Sequence, residues 1–150
     1  MKQELVREWM TPEPITATPD TTLPHAHRLL MENRIRRLPV VEKGRLVGII
    51  TRGDIRGAQP SDATSLTIWE MNYLLSQLKL KSLMTPRPIT VHEDATIAEA
   101  ARLMLRHKVS GLPVVDAGDT LVGIITESDI FRLVVRTWQE EAVPEPVPAG

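Results

Sequence analysis

Residues 109–131, VSGLPVVDAGDTLVGIITESDIF, decide the fold, because the same pattern stands at residues 35–56 as IRRLPVVEKGRLVGIITRGDIR. In each copy two runs rich in Val, Ile and Leu flank a turn that carries Gly, and the second run ends in T-x-x-D. Branched residues in short runs between turn residues read as strands, and Thr three residues ahead of an acid reads as a helix start. Working outward, MTPEPITATPDTTLPHAHRLLMENRI from Met10 aligns with MTPRPITVHEDATIAEAARLMLRHKV from Met84. The period is about 74 residues, with one extra residue in the second copy's turn, and about half of the aligned positions are identical. The chain is a duplicated unit of about 50 residues, and its function is a question of what two such units form when packed together.

The 150 residues make one ordinary domain or two very small ones, and one copy alone would be marginally stable. Charged residues at 25% and apolar residues at 42% place the chain with soluble globular proteins and not with disordered ones. No apolar run approaches the roughly 20 residues of a membrane span, and MKQELVREWM lacks the apolar core of a signal peptide, so the protein is expected in the cytoplasm with no membrane role. Without cysteine there are no disulfides, iron-sulfur clusters or thiolate zinc sites. A net charge of -1 gives no general attraction to nucleic acid or anionic lipid.

Along the chain, Met1 to Trp9 read as a short helical lead-in. Pro14 to Thr18 are a strand candidate, since Pro12, Pro14 and Pro19 exclude a helix there. Thr22 caps a helix with Leu23, Ala26, Leu30, Met31 and Ile35 at helical spacing. In the second copy Thr96 and Glu99 form a capping box ahead of Ile97, Ala100, Ala101, Met104 and Leu105. Strands are expected at 38–42, 45–51, 112–116 and 120–126, with Pro39 and Pro113 at a strand start or an edge. Because LVGII is apolar on both faces, its strand belongs in the middle of a covered sheet. Gly57 to Thr64 read as a loop. Thr67 and Glu70 then cap a helix running to about Leu80, with Ile68, Met71, Leu75 and Leu78 on one face and Trp69, Tyr73, Leu74 and Leu80 on another, so that it packs on its own repeat and on a partner.

The expected fold is α+β, each repeat running strand, helix, strand, strand, helix. The expected organisation is a first repeat with its lead-in at 1–58, a loop and connecting helix at 59–83, a second repeat at 84–137, and a flexible, Pro-rich acidic tail at 138–150.

LPVV, a short turn, LVGIIT and T-x-x-D, each present twice behind an MTP lead-in, resemble a stand-alone pair of CBS domains over about Val6 to Val135. The resemblance implies two small sheets packed about a pseudo-twofold axis, and two chains joined as a flat, disc-like homodimer. It also implies a non-catalytic sensor. Adenine nucleotides or adenosyl compounds (AMP, ADP, ATP or S-adenosylmethionine) would bind in the clefts between repeats, and the signal would pass to an enzyme or transporter. No metal is needed for such a fold.

By the same resemblance, Thr51 with Asp54 and Thr126 with Asp129 would hold ribose and phosphate. A carboxylate can accept from both ribose hydroxyls, and a helix N-terminus favours an anion. The same pattern is also a helix capping box, which needs no ligand. For the base, one site would use Ile15, Thr16 and Ala17 with Ile35, Leu38 and Pro39. The other would use Ile89, Thr90 and Val91 with Val109, Ser110, Gly111, Leu112 and Pro113. Gly111 would let a flat ring approach the backbone. At that position the first copy has Arg37, preceded by Arg36, and guanidiniums suit phosphate oxygens.

The main rival is an interaction module whose clefts are empty or plugged, Arg37 filling the first and capping alone explaining the T-x-x-D pairs. Nucleic-acid binding through Arg34, Arg36, Arg37, Lys79 and Lys81 is disfavoured by the net charge and the few aromatic residues. Trp9, Trp69 and Trp138 read as packing or dimer contacts. His25, His27, His92 and His107 lack metal-ligand spacing, and no catalytic motif is present.

Overall fold

A computed structural model of the chain describes residues 4–58 and 65–142. Residues 1–3 of the expected lead-in, 59–64 of the expected loop and 143–150 of the expected tail lie outside the described residues. In chain order the elements are α1 (Val6–Trp9), β1 (Thr11–Pro12), α2 (Leu23–Glu32), β2 (Arg37–Glu42), β3 (Arg45–Thr51), α3 (Arg52–Gly57) and α4 (Ile68–Gln77). There follow α5 (Leu80–Leu83), β4 (Thr85–Pro86), β5 (Val91–His92), α6 (Ile97–His107), β6 (Gly111–Val115), β7 (Leu121–Thr126) and α7 (Glu127–Ala142).

The pseudo-twofold axis can be read from the strand register. β1 pairs with β7 through Thr11–Ile124 and Pro12–Gly123, and β4 pairs with β3 through the equivalent Thr85–Ile49 and Pro86–Gly48. Each MTP lead-in therefore crosses to the sheet of the other repeat. The crossing explains Gly48 and Gly123, because a Cβ at either would collide with the sulfur of Met84 or Met10. Arg45 bridges Thr120, its own repeat equivalent, which places both on the axis. The sheets run β1-β7-β6-β5 and β2-β3-β4, so β3 and β7, the LVGII strands, are internal as expected.

Each repeat keeps its own core. Leu23, Ala26, Leu30, Leu38, Val40, Ile50 and Ile55 form the first, and Val91, Ile97, Ala100, Met104, Leu112, Val114, Ile125 and Leu133 the second. The exchange extends to these cores, because Val6 of α1 fills the second and Leu80 of α5 the first. Burying a side chain of this size in the other repeat contributes about 1.5–3 kcal/mol, and two such exchanges tie the halves into one unit.

Several expectations need correction. Pro14 to Thr18 form no strand, only a bridge between Ala17 and Val40, whereas the equivalent of this stretch contains β5. Pro19 is the reason: Glu93, at the equivalent position, donates its N–H to Val115 O at 2.9 Å, and proline has none to give. The α2 and α6 stripes are narrower than read. Met31 and its equivalent Leu105 face solvent, and Ile35 lies beyond the helix. Pro39 lies on the edge strand β2, as expected, whereas Pro113 lies within the internal strand β6, one residue before its pairing with β5 begins at Val114. The connecting helix stops at Gln77 because Leu78 O accepts from Leu23 N and Leu80 N donates to Thr21 O, drawing the backbone out to close the end of α2.

Candidate functional site

A cavity of about 450 Å³ lies between the repeats, lined on one side by Arg34, Ile35, Arg36, Arg37 and Ile15 of the first and on the other by Thr126, Glu127, Ser128, Asp129 and Arg132 of the second. Its volume falls in the range of about 300–1,000 Å³ usual for small-molecule sites. Thr11, brought across by β1, and Ile124, Glu13, Pro14 and Ser110 complete the wall.

Asp129 is the buried charge of this site, 4% exposed at the start of α7. Its Oδ2 accepts from Thr126 N at 2.9 Å and from Thr126 Oγ1 at 3.3 Å, and its Oδ1 accepts from Arg132 Nη1 at 2.5 Å. Capping therefore engages one oxygen, while the other is held by a guanidinium on an exposed side chain. A carboxylate oxygen has two lone pairs, so Oδ1 can accept a hydroxyl as well as Arg132. The partial positive charge at the N-terminus of α7 favours an anion in the same place.

The arginines come from one short stretch after α2. Arg34 adopts a left-handed conformation (φ 53°), as does its equivalent Lys108 (φ 55°), and so turns the chain from helix into strand. Arg36 O accepts from Arg52 N at 3.0 Å, fixing the stretch to its own repeat while Arg36 and Arg37 face the other. Burial pushes the Arg37 guanidinium below its ordinary pKa, the charge of Arg36 adds to this, and Glu127 opposes it. Four arginines against Glu13, Glu127 and Asp129 leave the wall net positive, which suits an anionic ligand.

Of the residues expected at a site, Ile15, Ile35, Arg36, Arg37, Ser110, Thr126 and Asp129 line this one cavity. Ala17, Leu38, Pro39, Leu112 and Pro113 instead have their side chains in the interior, and Thr16 is exposed. Val109 packs on the second core. Thr90 and Val91 border a separate open groove with Arg102 and Arg106. Thr51 and Asp54 form a closed capping box. The space over Gly111 is not open to a ring. The Arg37 guanidinium lies there, with Nη2 donating to Ser110 Oγ at 2.5 Å, and three of its atoms would stand within 3.0 Å of a Cβ at 111.

Sequence reasoning did not join the first-repeat arginines to the second-repeat T-x-x-D, and it missed Arg132 and Glu127. Position 132 was legible as the i+3 neighbour of Asp129 on a helix. Among the described residues no group of three or more His, Asp or Glu could hold a metal ion, and no helix is long and apolar enough to cross a membrane.

Two repeats exchanging their lead-ins around a shared cleft define a tandem module of the paired-domain kind. The chain belongs to the CBS domain family, whose model matches residues 6–61 and 80–136. A CBS domain-containing protein of Dictyostelium discoideum is 38% identical over 145 residues, 96% of each chain. The CBS domain pair of protein MJ0100, solved in complex with 5'-methylthioadenosine and S-adenosyl-L-methionine, is similar at 33% identity and a TM-score of 0.75, over 91% of this chain and 99% of that one. CBSX2 in complex with AMP is similar at 30% identity and a TM-score of 0.75, over 90% and 98%. The chain spans 47%, 21% and 23% of three further curated relatives, longer proteins with enzymes among them.

Proposed function

We propose that this chain is a non-catalytic regulatory module that binds an adenine nucleotide or related adenosyl ligand in the Asp129 cavity and signals through the relative angle of its repeats. The observation that carries the reading is the buried Asp129 carboxylate, with one oxygen beyond its capping need and Arg132 beside it, facing Arg34, Arg36 and Arg37 across a cavity of nucleotide size. A ribose hydroxyl would donate to Asp129 Oδ1 beside Arg132, and phosphate oxygens would accept from Arg36, Arg37 and Arg132. The AMP, S-adenosylmethionine and methylthioadenosine complexes of similar pairs support this ligand class.

A ligand touching both repeats can shift their arrangement only by its differential affinity for the two states. The read-out fits a second copy of the chain, with an enzyme or transporter as the regulated partner. Phe131, Val135 and Trp138 are exposed at helical spacing on α7, and Ile68, Trp69 and Tyr73 are exposed on α4. A homodimer would cover such faces, and sedimentation equilibrium measures it.

The direct test is a thermal-shift screen against AMP, ATP and S-adenosylmethionine with guanine controls. A ligand at 100 times its Kd adds about 2.7 kcal/mol, a rise of several degrees for a chain of this size. The expected result is a shift with adenosyl compounds that vanishes in Asp129→Ala. No shift with any of them would sink the reading in favour of an interaction module, which the exposed helical faces also suit.

A further inference from the structure

We propose that Arg37 closes the second cleft, leaving the chain one adenosyl site where its duplicated architecture provides for two. The inference rests on the nucleotide reading above and adds the number of sites and the residue that sets it.

Positions 37 and 111 are repeat equivalents, the first residues of β2 and β6 immediately before LPVV, and they touch one another, so both lie at the pseudo-twofold axis. Two equivalent side chains cannot fill one axial space. Here a large residue faces a glycine, and the guanidinium lies on the Gly111 backbone and hydrogen-bonds Ser110 Oγ. The cavity described above uses Thr126, Asp129 and Arg36. Rotation about the axis generates a cleft from Thr51, Asp54 and Ser110, whose inner wall is Gly111, and that wall is covered by Arg37. The same group thus serves one cleft as a cation and occupies the other as a plug. Its hydrogen bond and its half-buried position keep it there.

A second difference lies beside the aspartates: the residue equivalent to Arg132 is Gly57, so Asp54 lacks the guanidinium that Asp129 has one helical turn along.

The test is equilibrium dialysis of the full chain against labelled AMP at saturation, comparing wild type with Arg37→Gly and Arg37→Ala, each also combined with Asp54→Ala or Asp129→Ala. The expected result is one AMP per wild-type chain, lost in Asp129→Ala and kept in Asp54→Ala. The Arg37 variants should gain a site that is lost in Asp54→Ala and kept in Asp129→Ala, while the first site, short of one phosphate contact, weakens. A gain of one Asp54-dependent site over a wild type that binds none would support the plug while overturning the nucleotide reading of the first cleft. Natively folded Arg37 variants with no added site overturn the plug and leave that reading untouched if wild type still binds one. Wild type binding two AMP per chain, one of them Asp54-dependent, overturns the plug without recourse to any Arg37 variant.

Discussion

Thr51-Arg52-Gly53-Asp54 and Thr126-Glu127-Ser128-Asp129 end equivalent strands and open equivalent helices, yet they are wired differently. In the first copy the wiring is closed: Thr51 Oγ1 accepts from Asp54 N at 3.2 Å, and Asp54 Oδ2 accepts from Thr51 N at 2.8 Å. In the second, the Thr126 hydroxyl turns to the carboxylate, and Asp129 Oδ1 reaches out to Arg132. One motif thus serves as a reciprocal capping box in one repeat and, in the other, as a cap whose second carboxylate oxygen holds an arginine. What decides is the surroundings, with Gly57 or Arg132 six residues along from the threonine and Ser110-Gly111 or Arg36-Arg37 across the axis.

The comparison breaks most directly at the two aspartates. Asp129→Ala is expected to weaken AMP binding by about 10- to 150-fold, since a hydrogen bond to a charged group contributes about 1.5–3 kcal/mol and a ribose hydroxyl loses its acceptor. Asp54→Ala is expected to leave AMP affinity unchanged and to lower stability by about 1 kcal/mol, the contribution of a cap. Isothermal titration and urea unfolding on both variants check this. Equal loss of binding in the two would show that the wiring difference has no functional meaning.

A second contrast lies at the crossing glycines. At Gly123 an added Cβ would meet the Thr11 carbonyl oxygen at 2.9 Å as well as the Met10 sulfur. At Gly48 the equivalent Thr85 oxygen is 3.1 Å away, and the tightest contacts are with the flexible Met84 side chain. Overpacking of this kind costs about 1–3 kcal/mol, and Gly123→Ala is expected near the upper end with Gly48→Ala below it. Because Thr11 lines the cavity, only Gly123→Ala should also weaken AMP binding. Urea midpoints and a titration of each variant separate the two effects.

The fold was legible because duplication doubles every local signal. The LVGII strands, the capped helices and the turn at Lys43-Gly44, both with positive φ, follow from residue type and spacing. The exchange of lead-ins was not legible, since two-residue strands such as Thr11–Pro12 have no periodicity and only the partner strand defines them. The same gap hid half the site. Motif reading groups residues by repeat, whereas the cleft joins the arginine stretch of one repeat to the T-x-x-D of the other. Gly111 shows the limit most plainly: a missing side chain announces a close approach, and only the three-dimensional arrangement shows that the approaching group is Arg37.

The smallest effect expected comes from the charge that differs between the clefts, Arg52 in one copy and Glu127 in the other. Glu127 is exposed at the cavity rim and pulls the Arg37 guanidinium toward its ordinary pKa, against the lowering by burial and by Arg36. Arginine stays protonated in proteins, so removing this carboxylate changes the attraction for an anion and not the protonation of Arg37. Exposed charge pairs are worth about 0–1 kcal/mol, so Glu127→Gln is expected to tighten AMP binding by at most about fivefold. The gain should be larger for ATP, which brings more charge to the same wall, and should fade as salt shortens the reach of exposed charges. Titrations of both nucleotides at low and high salt measure it. An equal gain for both at every salt concentration would place the effect in packing at the rim, and the arginine wall would then contribute shape more than charge.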